Sequence, residues 1–344
     1  VYLTFKGLLD KILPGDMMKK INRRGFGKIL LSSTLGIGAS LAIPGIHPEI
    51  KKRSIVVIAR SNKLKRIQHQ VSKANVLDFL NRSITKITGS ISASEAWKSL
   101  FSARERVGIK LSCLPGLPLS SGIGIVMAIV DGLRSAGVKG ENIYIWERTS
   151  KELEKAGFHV TRSGINILGT DYFSRGGYSQ AIRMSGSVGT CFSKIIEFVD
   201  ALISVPVLKD HDIAGVSIGM KNFYGAIYNP NKFHFNRCDP YVADLCNFPE
   251  IKNKLRLTVC DATRIQVHNG PAFYPKYTWE YGGMLVSRDP VALDFVGWQI
   301  IEERRKELKL KSLKMSGREP TYIKSAEKLR LGYADLNRIE KIEI

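Results

Sequence analysis

The sequence predicts an α/β fold in three layers: a mostly parallel β-sheet with helices on both faces. Three observations carry that prediction. Short β-branched runs recur along the chain, amphipathic stretches with helix-capping signals separate them, and most of the runs are apolar throughout rather than alternating. Strands apolar on both sides are buried on both sides, which is the condition of a parallel sheet covered by crossover helices.

The first such run is Ser54 to Ala59. Mixed helical patterning follows over residues 61–106, clearest from Ser94 to Arg106, where Ser92 and Glu95 have capping-box spacing. Val107 to Cys113 reads as a buried strand, broken at Leu114-Pro115-Gly116-Leu117-Pro118. A helix is predicted from Gly122 to Ala136 and a strand over Asn142 to Trp146. Thr149 and Glu152 cap a further helix that stops at Gly157. Ala201 to Val207 is a strand, and a helix is expected from Ile213 to Tyr224. Residues 227–253 look irregular, and an irregular segment of that length inside a compact domain is usually functional. Leu255 to Cys260 and Met284 to Ser287 are strands. Asp289-Pro290 then supplies an N-cap and a first-turn proline for a long helix to Leu308. Val107–Cys113, Ala201–Val207 and Leu255–Cys260 are expected in the sheet interior.

Composition narrows the class. The chain has 344 residues, 44% apolar and 24% charged, enough to bury a substantial core and unlike a disordered chain. The net charge is +21. Only +5 of it falls in residues 1–45, so the rest of the chain is basic in its own right. Such a surface suits nucleic acid, anionic lipid or an anionic small ligand, or serves solubility alone. The five cysteines (113, 191, 238, 246 and 260) include no C-x-x-C pair, so zinc-ribbon and iron–sulfur spacings are absent. Neither G-x-G-x-x-G after a strand, nor a P-loop, nor a G-x-S-x-G elbow occurs.

Near the N-terminus Arg23-Arg24-Gly25-Phe26-Gly27-Lys28 precedes a weakly apolar stretch, Ile29 to Ala42. This is the pattern of a twin-arginine signal. The stretch is too short for a membrane span, and Ser40-Leu41-Ala42 offers small residues for cleavage after Ala42. Met17 or Met18 would be a natural start for such a signal. Residues 1–42 are therefore expected to be a signal region read by the twin-arginine translocase. The mature part would be periplasmic or extracellular, without a stable span. Export in the folded state also raises the expectation of a metal ion or cofactor inserted beforehand.

Ligands of open α/β sheets lie beyond the carboxyl ends of the strands. That rule selects Cys113, Glu147, Arg148, Lys209, Asp210, His211, Asp261 and Asp289. His211, His234 and His268 stand open as metal ligands, as ligand-binding or proton-transfer groups, or as hydrogen-bonded loop residues; their spacing matches no metal motif. Lys209, Lys221 and Asn222 are candidates for an anionic carboxylate or phosphate. Asp289 is either a further ligand contact or simply the helix cap.

The run Leu202 to His211, the block Gly219-Met220-Lys221-Asn222-Phe223-Tyr224-Gly225, Cys260-Asp261-Ala262 and Val286 to Asp294 together resemble the domain of unknown function 362. The resemblance spans residues 53–332 and leaves 333–344 as a tail. It implies export, since members often carry twin-arginine signals. Some members also carry ferredoxin-type cysteine runs, which this chain lacks. The function expected is therefore an exported enzyme, redox-linked or metal-assisted, acting on a small anionic substrate. His211 or His268 would be its acid/base group, with Asp261 as partner. The alternative is a non-catalytic exported binding protein for an anionic ligand or cofactor. A nucleic-acid binder fits the charge but not export.

Overall fold

The computed structural model of the protein describes residues 53–344. The twin-arginine segment with Arg23 and Arg24 lies outside the described residues. Thirteen strands occur among those described: β1 (Ser54–Arg60), β2 (Val107–Leu111), β3 (Ile143–Glu147), β4 (Asn166–Gly169), β5 (Arg183–Ser185), β6 (Val188–Thr190), β7 (Ala201–Val205), β8 (Val207–His211), β9 (Gly215–Ser217), β10 (Leu255–Gln266), β11 (Thr278–Trp279), β12 (Gly283–Ser287) and β13 (Ile339–Glu343). The helices are α1 (Lys73–Thr88), α2 (Ala93–Leu100), α3 (Ile123–Ser135), α4 (Ser150–Lys155), α5 (Thr170–Phe173), α6 (Lys194–Phe198), α7 (Tyr241–Cys246), α8 (Pro249–Lys252), α9 (Pro290–Glu307) and α10 (Tyr322–Lys328).

The main sheet runs β13-β1-β12-β10-β7-β2-β3-β4, with β8 and β11 branching from β10 and β9 pairing with β8. Along that path β12 alone runs against its neighbours; β4, β3, β2, β7 and β10 are mutually parallel. A separate hairpin joins β5 to β6.

Alternation along the strands divides the core into two layers. Val107, Ile109 and Leu111 of β2, Ile203 and Val205 of β7, and Leu257 and Val259 of β10 pack beneath α1, α2 and α3. Leu202 of β7 and Cys260 and Ala262 of β10 turn the other way, toward α6, α7, α9 and α10. The expected three layers and interior positions of β2, β7 and β10 are thus observed. So are the caps. Ser92 Oγ accepts from the Glu95 amide and Thr149 Oγ1 from that of Glu152. Asp289 Oδ1 accepts from Val291 and Ala292 at 2.9 Å.

Several elements differ from expectation. The helix predicted at Ile213–Tyr224 is a hairpin strand, β9, followed by a 3₁₀ turn over Lys221–Ala226. Gly215, at φ +79°, turns the chain back there, and β-branched Val216 and Ile218 favour extended backbone. The strand expected at Ala201–Val207 breaks at Pro206, so β7 and β8 are separate; proline has no N–H for the ladder. β10 instead continues to Gln266, pairing first with β7 and then with β8. The region 227–253 contains α7 and α8 rather than irregular chain alone. Residues 333–344, expected as a tail, supply β13, which pairs in parallel with β1 at the sheet edge. No helix among the described residues is long and apolar enough to cross a membrane.

Candidate functional site

The carboxyl ends of β2, β3 and β8 open into a cavity of about 590 Å³. Its floor is ionic. Lys110, penultimate in β2, is buried, and its Nζ lies 2.5 Å from Glu147 Oε1 at the end of β3. The second carboxylate oxygen of Glu147 accepts from the Cys113 amide at 3.0 Å. Gly225 covers this pair so closely that a Cβ there would come within 2.6 Å of both Glu147 Oε1 and Lys110 Nζ. On the adjoining wall Arg148 pairs with Glu152 of α4 at 2.5 Å.

The β8 strand contributes alternate side chains. Lys209 and His211 face the cavity. Asp210 points to the opposite side, where its carboxylate takes the Gly270 amide and Arg318. Lys209 is 2% exposed, and its Nζ hydrogen-bonds only Ser112 Oγ among the described residues, at 3.2 Å. The 3₁₀ turn after β9 brings in Lys221, 6% exposed. Its Nζ donates to His234 Nε2 at 3.1 Å and lies over the Tyr224 ring. Asn222, beside it, is turned inward and donates to the Lys110 carbonyl and Ser204 Oγ. Burial pushes both Lys209 and Lys221 down to about 8, because an ammonium loses its hydration there. Neither lysine has a carboxylate within ion-pair distance among the described residues. Both of the other cavity cations, Lys110 and Arg148, do.

The two cavity histidines have fixed tautomers. His211 Nδ1 faces the amides of Ile213 and Ala214, at 3.2 and 3.3 Å. It is therefore the acceptor nitrogen, and the proton resides on Nε2. Asp212 Oδ1 also lies 3.0 Å from Nδ1, but an ion pair would need a proton where two amides already point. Burial, reinforced by Lys221, drives His211 far below its ordinary value and keeps it neutral. His234 is the reverse tautomer: Nδ1–H donates to the Pro230 carbonyl, and Nε2 accepts from Lys221. The two imidazoles stack with centroids 5.5 Å apart.

The structure thus gathers Lys209, His211, Lys221, Asn222 and His234 around one cavity, with Pro230, Asn231 and His234 as its loop wall. Three expected members lie elsewhere. Asp261 is not at a strand end but in the middle of β10. Its Oδ2 takes Arg66 at 2.7 Å and the Gly122 amide at 2.8 Å, and its Oδ1 takes Thr263. That carboxylate is fully used in tying residues 61–71 and the start of α3 to the sheet. His268 packs edge-on against Tyr277; the neighbouring charges are Arg305, Asp210 and Arg318, on the far side of β8. The expected metal set His211, His234 and His268 is therefore not assembled. No group of three or more His, Cys, Asp or Glu suited to a metal occurs among the described residues. Asp289 caps α9, binds Ser54 Oγ and lines a separate, smaller cavity with Arg288 and Tyr333.

Lys110 was not singled out from the sequence, although a lysine inside the apolar run Val107–Leu111 is the signal of a buried, paired charge. Asp294 is an ionisable group among apolar neighbours in the segment Ala292–Val296. Fully buried in α9, it accepts from the Gly219 and Met220 amides at 2.7 and 3.2 Å and so fixes the turn that carries Lys221.

A family model described as Domain of unknown function (DUF362) matches residues 118–299, more than half of the chain. The chain belongs to this family. No curated protein matches it. Among solved structures, the lactate racemase apoprotein from Thermoanaerobacterium thermosaccharolyticum shares 13% identity over 72% of this chain and 57% of its own, with a TM-score of 0.44. A protein from Thermotoga maritima shares 10% identity over 70% of this chain and 60% of its own, with a TM-score of 0.40. The chain thus spans less than two thirds of either structure, and at such identity the likeness concerns the fold alone. In this DUF362 member the matched segment contains Lys209, His211, Lys221, Asn222 and His234, but not Lys110.

Proposed function

We propose that this protein is an enzyme acting on a small anionic substrate held in the cavity at the ends of β2, β3 and β8. One observation carries the reading: two buried lysines face the same cavity with no carboxylate of the described residues within ion-pair distance. A buried ammonium without a counter-ion is costly, and an anion entering the cavity removes that cost for both lysines at once. The neutral His211, with Nε2–H presented to the cavity it lines, adds a directional donor for the substrate. It favours chemistry over storage, because a neutral imidazole polarises an oxygen without neutralising the anion. The basic chain as a whole favours entry of anions. Nucleic acid is not proposed as the ligand, because the unpaired lysines are recessed rather than displayed. We further propose that the protein is exported folded through the twin-arginine translocase, from the Arg23-Arg24 segment.

Calorimetric titration with acetate, oxalate and phosphate tests the site. At least one anion binds the unaltered protein near neutral pH, and Lys221→Met weakens it by roughly tenfold or more, the loss of one charge-assisted contact. Binding that is indifferent to both Lys209→Met and Lys221→Met refutes the reading.

A further inference from the structure

We infer that Lys209 is an amine nucleophile that forms an imine with a small 2-oxo carboxylate, the carboxylate resting on Lys221 and the carbonyl facing Lys209 and His211. The inference rests on the anion-binding reading and narrows its substrate class.

The two lysines share one cavity but not one environment. Lys221 Nζ donates to an imidazole nitrogen and lies over the Tyr224 ring. An acceptor and a π face both hold it in the ammonium form, so Lys221 suits the carboxylate. Lys209 Nζ meets a single hydroxyl, Ser112 Oγ. A hydroxyl both donates and accepts, so it tolerates the free amine as readily as the ammonium. Burial is the largest cause of the lowered Lys209 value; Glu147 pulls the other way, and Lys221 and Lys110 each disfavour its charge to a smaller extent. A desolvated lysine without a carboxylate in contact is the arrangement that frees an amine to act as a nucleophile at moderate pH. The two functional groups of a 2-oxo acid match this pair: an anion for one lysine and an electrophilic carbon for the other.

The step balances without a further reactant. The Lys209 amine adds to the carbonyl carbon, and the C–O π pair moves to oxygen, which His211 Nε2–H supports by a hydrogen bond while keeping its proton. The carbinolamine then forms the C–N double bond as the C–O bond breaks. The carbonyl oxygen leaves as water with the two hydrogens of the amine.

The experiment is reductive trapping. The full chain is incubated with pyruvate and sodium cyanoborohydride, digested, and mapped by mass spectrometry. The expected mark is a carboxyethyl group on Lys209, dependent on pyruvate, lost after heat denaturation and lost in Lys209→Met. In Lys221→Met the yield at fixed pyruvate falls by roughly tenfold or more. Mapping the unaltered protein makes the test independent of how the variants fold. Absence of a mark, or a mark spread over surface lysines with no preference for Lys209, overturns the inference. Acetate titration separates the two levels: acetate binding that needs Lys221, with no trapped adduct, removes the imine and leaves the anion site standing. Absence of both removes the site as well.

Discussion

At the residue scale, what decides the site is the difference between a paired and an unpaired buried charge. Lys110 and Arg148 pair with carboxylates; among the described residues Lys209 and Lys221 do not. Protonation of the latter two is therefore coupled to ligand. Their folded-state values, about 8, lie below the value near 10.5 that they resume on unfolding. Between these limits the unfolded chain binds more protons than the native one, so stability of the ligand-free protein rises as pH increases through that interval. An anion favours the charged lysines, so its affinity is full below about 8 and falls as pH rises above it. Titration with oxalate at roughly pH 7 and roughly pH 9.5 checks the sign; equal affinity at both would contradict it. Much of this constellation was readable, because Lys209, His211 and Lys221 follow a recognisable strand. Asp261 was misplaced because the strand that carries it does not stop at Cys260 but continues to Gln266. His268 was misplaced because sequence does not say which side of β8 a distant loop will reach.

At the element scale, α9 does more than cover the sheet. From its second turn Asp294 holds the Gly219–Met220 backbone, so a helix on one face sets the position of Lys221 in the cavity. Asp294→Asn replaces one acceptor oxygen by a donor facing an amide. The expected cost is about 1–3 kcal/mol of stability, read by urea denaturation, together with weaker anion binding. Loss of stability with unchanged binding would show that the turn is held by other contacts. Asp261 offers the contrasting case. Its removal in Asp261→Ala leaves Arg66 buried without its partner, at an expected cost of about 3–5 kcal/mol by the same measurement. In the same way, the capping residues made the starts of α2, α4 and α9 legible, whereas β9 and the turn after it were read as helix. Two glycines and three β-branched residues from Ile213 to Gly219 were the warning in that segment.

At the scale of the molecule, the three-layer architecture was legible because apolar strands and capped helices alternate. The reversal of β12 was not, since the long connection from β10 hides a return in the antiparallel sense. The C-terminal strand was not either: Ile339–Glu343 reads Ile-Glu-Lys-Ile-Glu, without the period-two alternation of a strand, and is short. Export is a property of the whole chain, and its test is likewise global. Replacement of both Arg23 and Arg24 by lysine is expected to leave precursor in the cytoplasm of the native host, seen by fractionation and immunoblotting. Undiminished export of that variant would exclude the twin-arginine route.

β10 is lined along its length, by β7 and then β8 on one side and by β12 and then β11 on the other. In deuterated water, its central amides from Leu257 to Ala262 should therefore exchange only when the whole domain opens, while those of β13 at the rim exchange by local fraying. The strand that ties Asp261, β7 and β8 together would then be the slowest clock in the protein. A ligand in the cavity would slow that clock by the full free energy of its binding, which makes exchange at β10 a measure of occupancy at a distance from the lysines themselves.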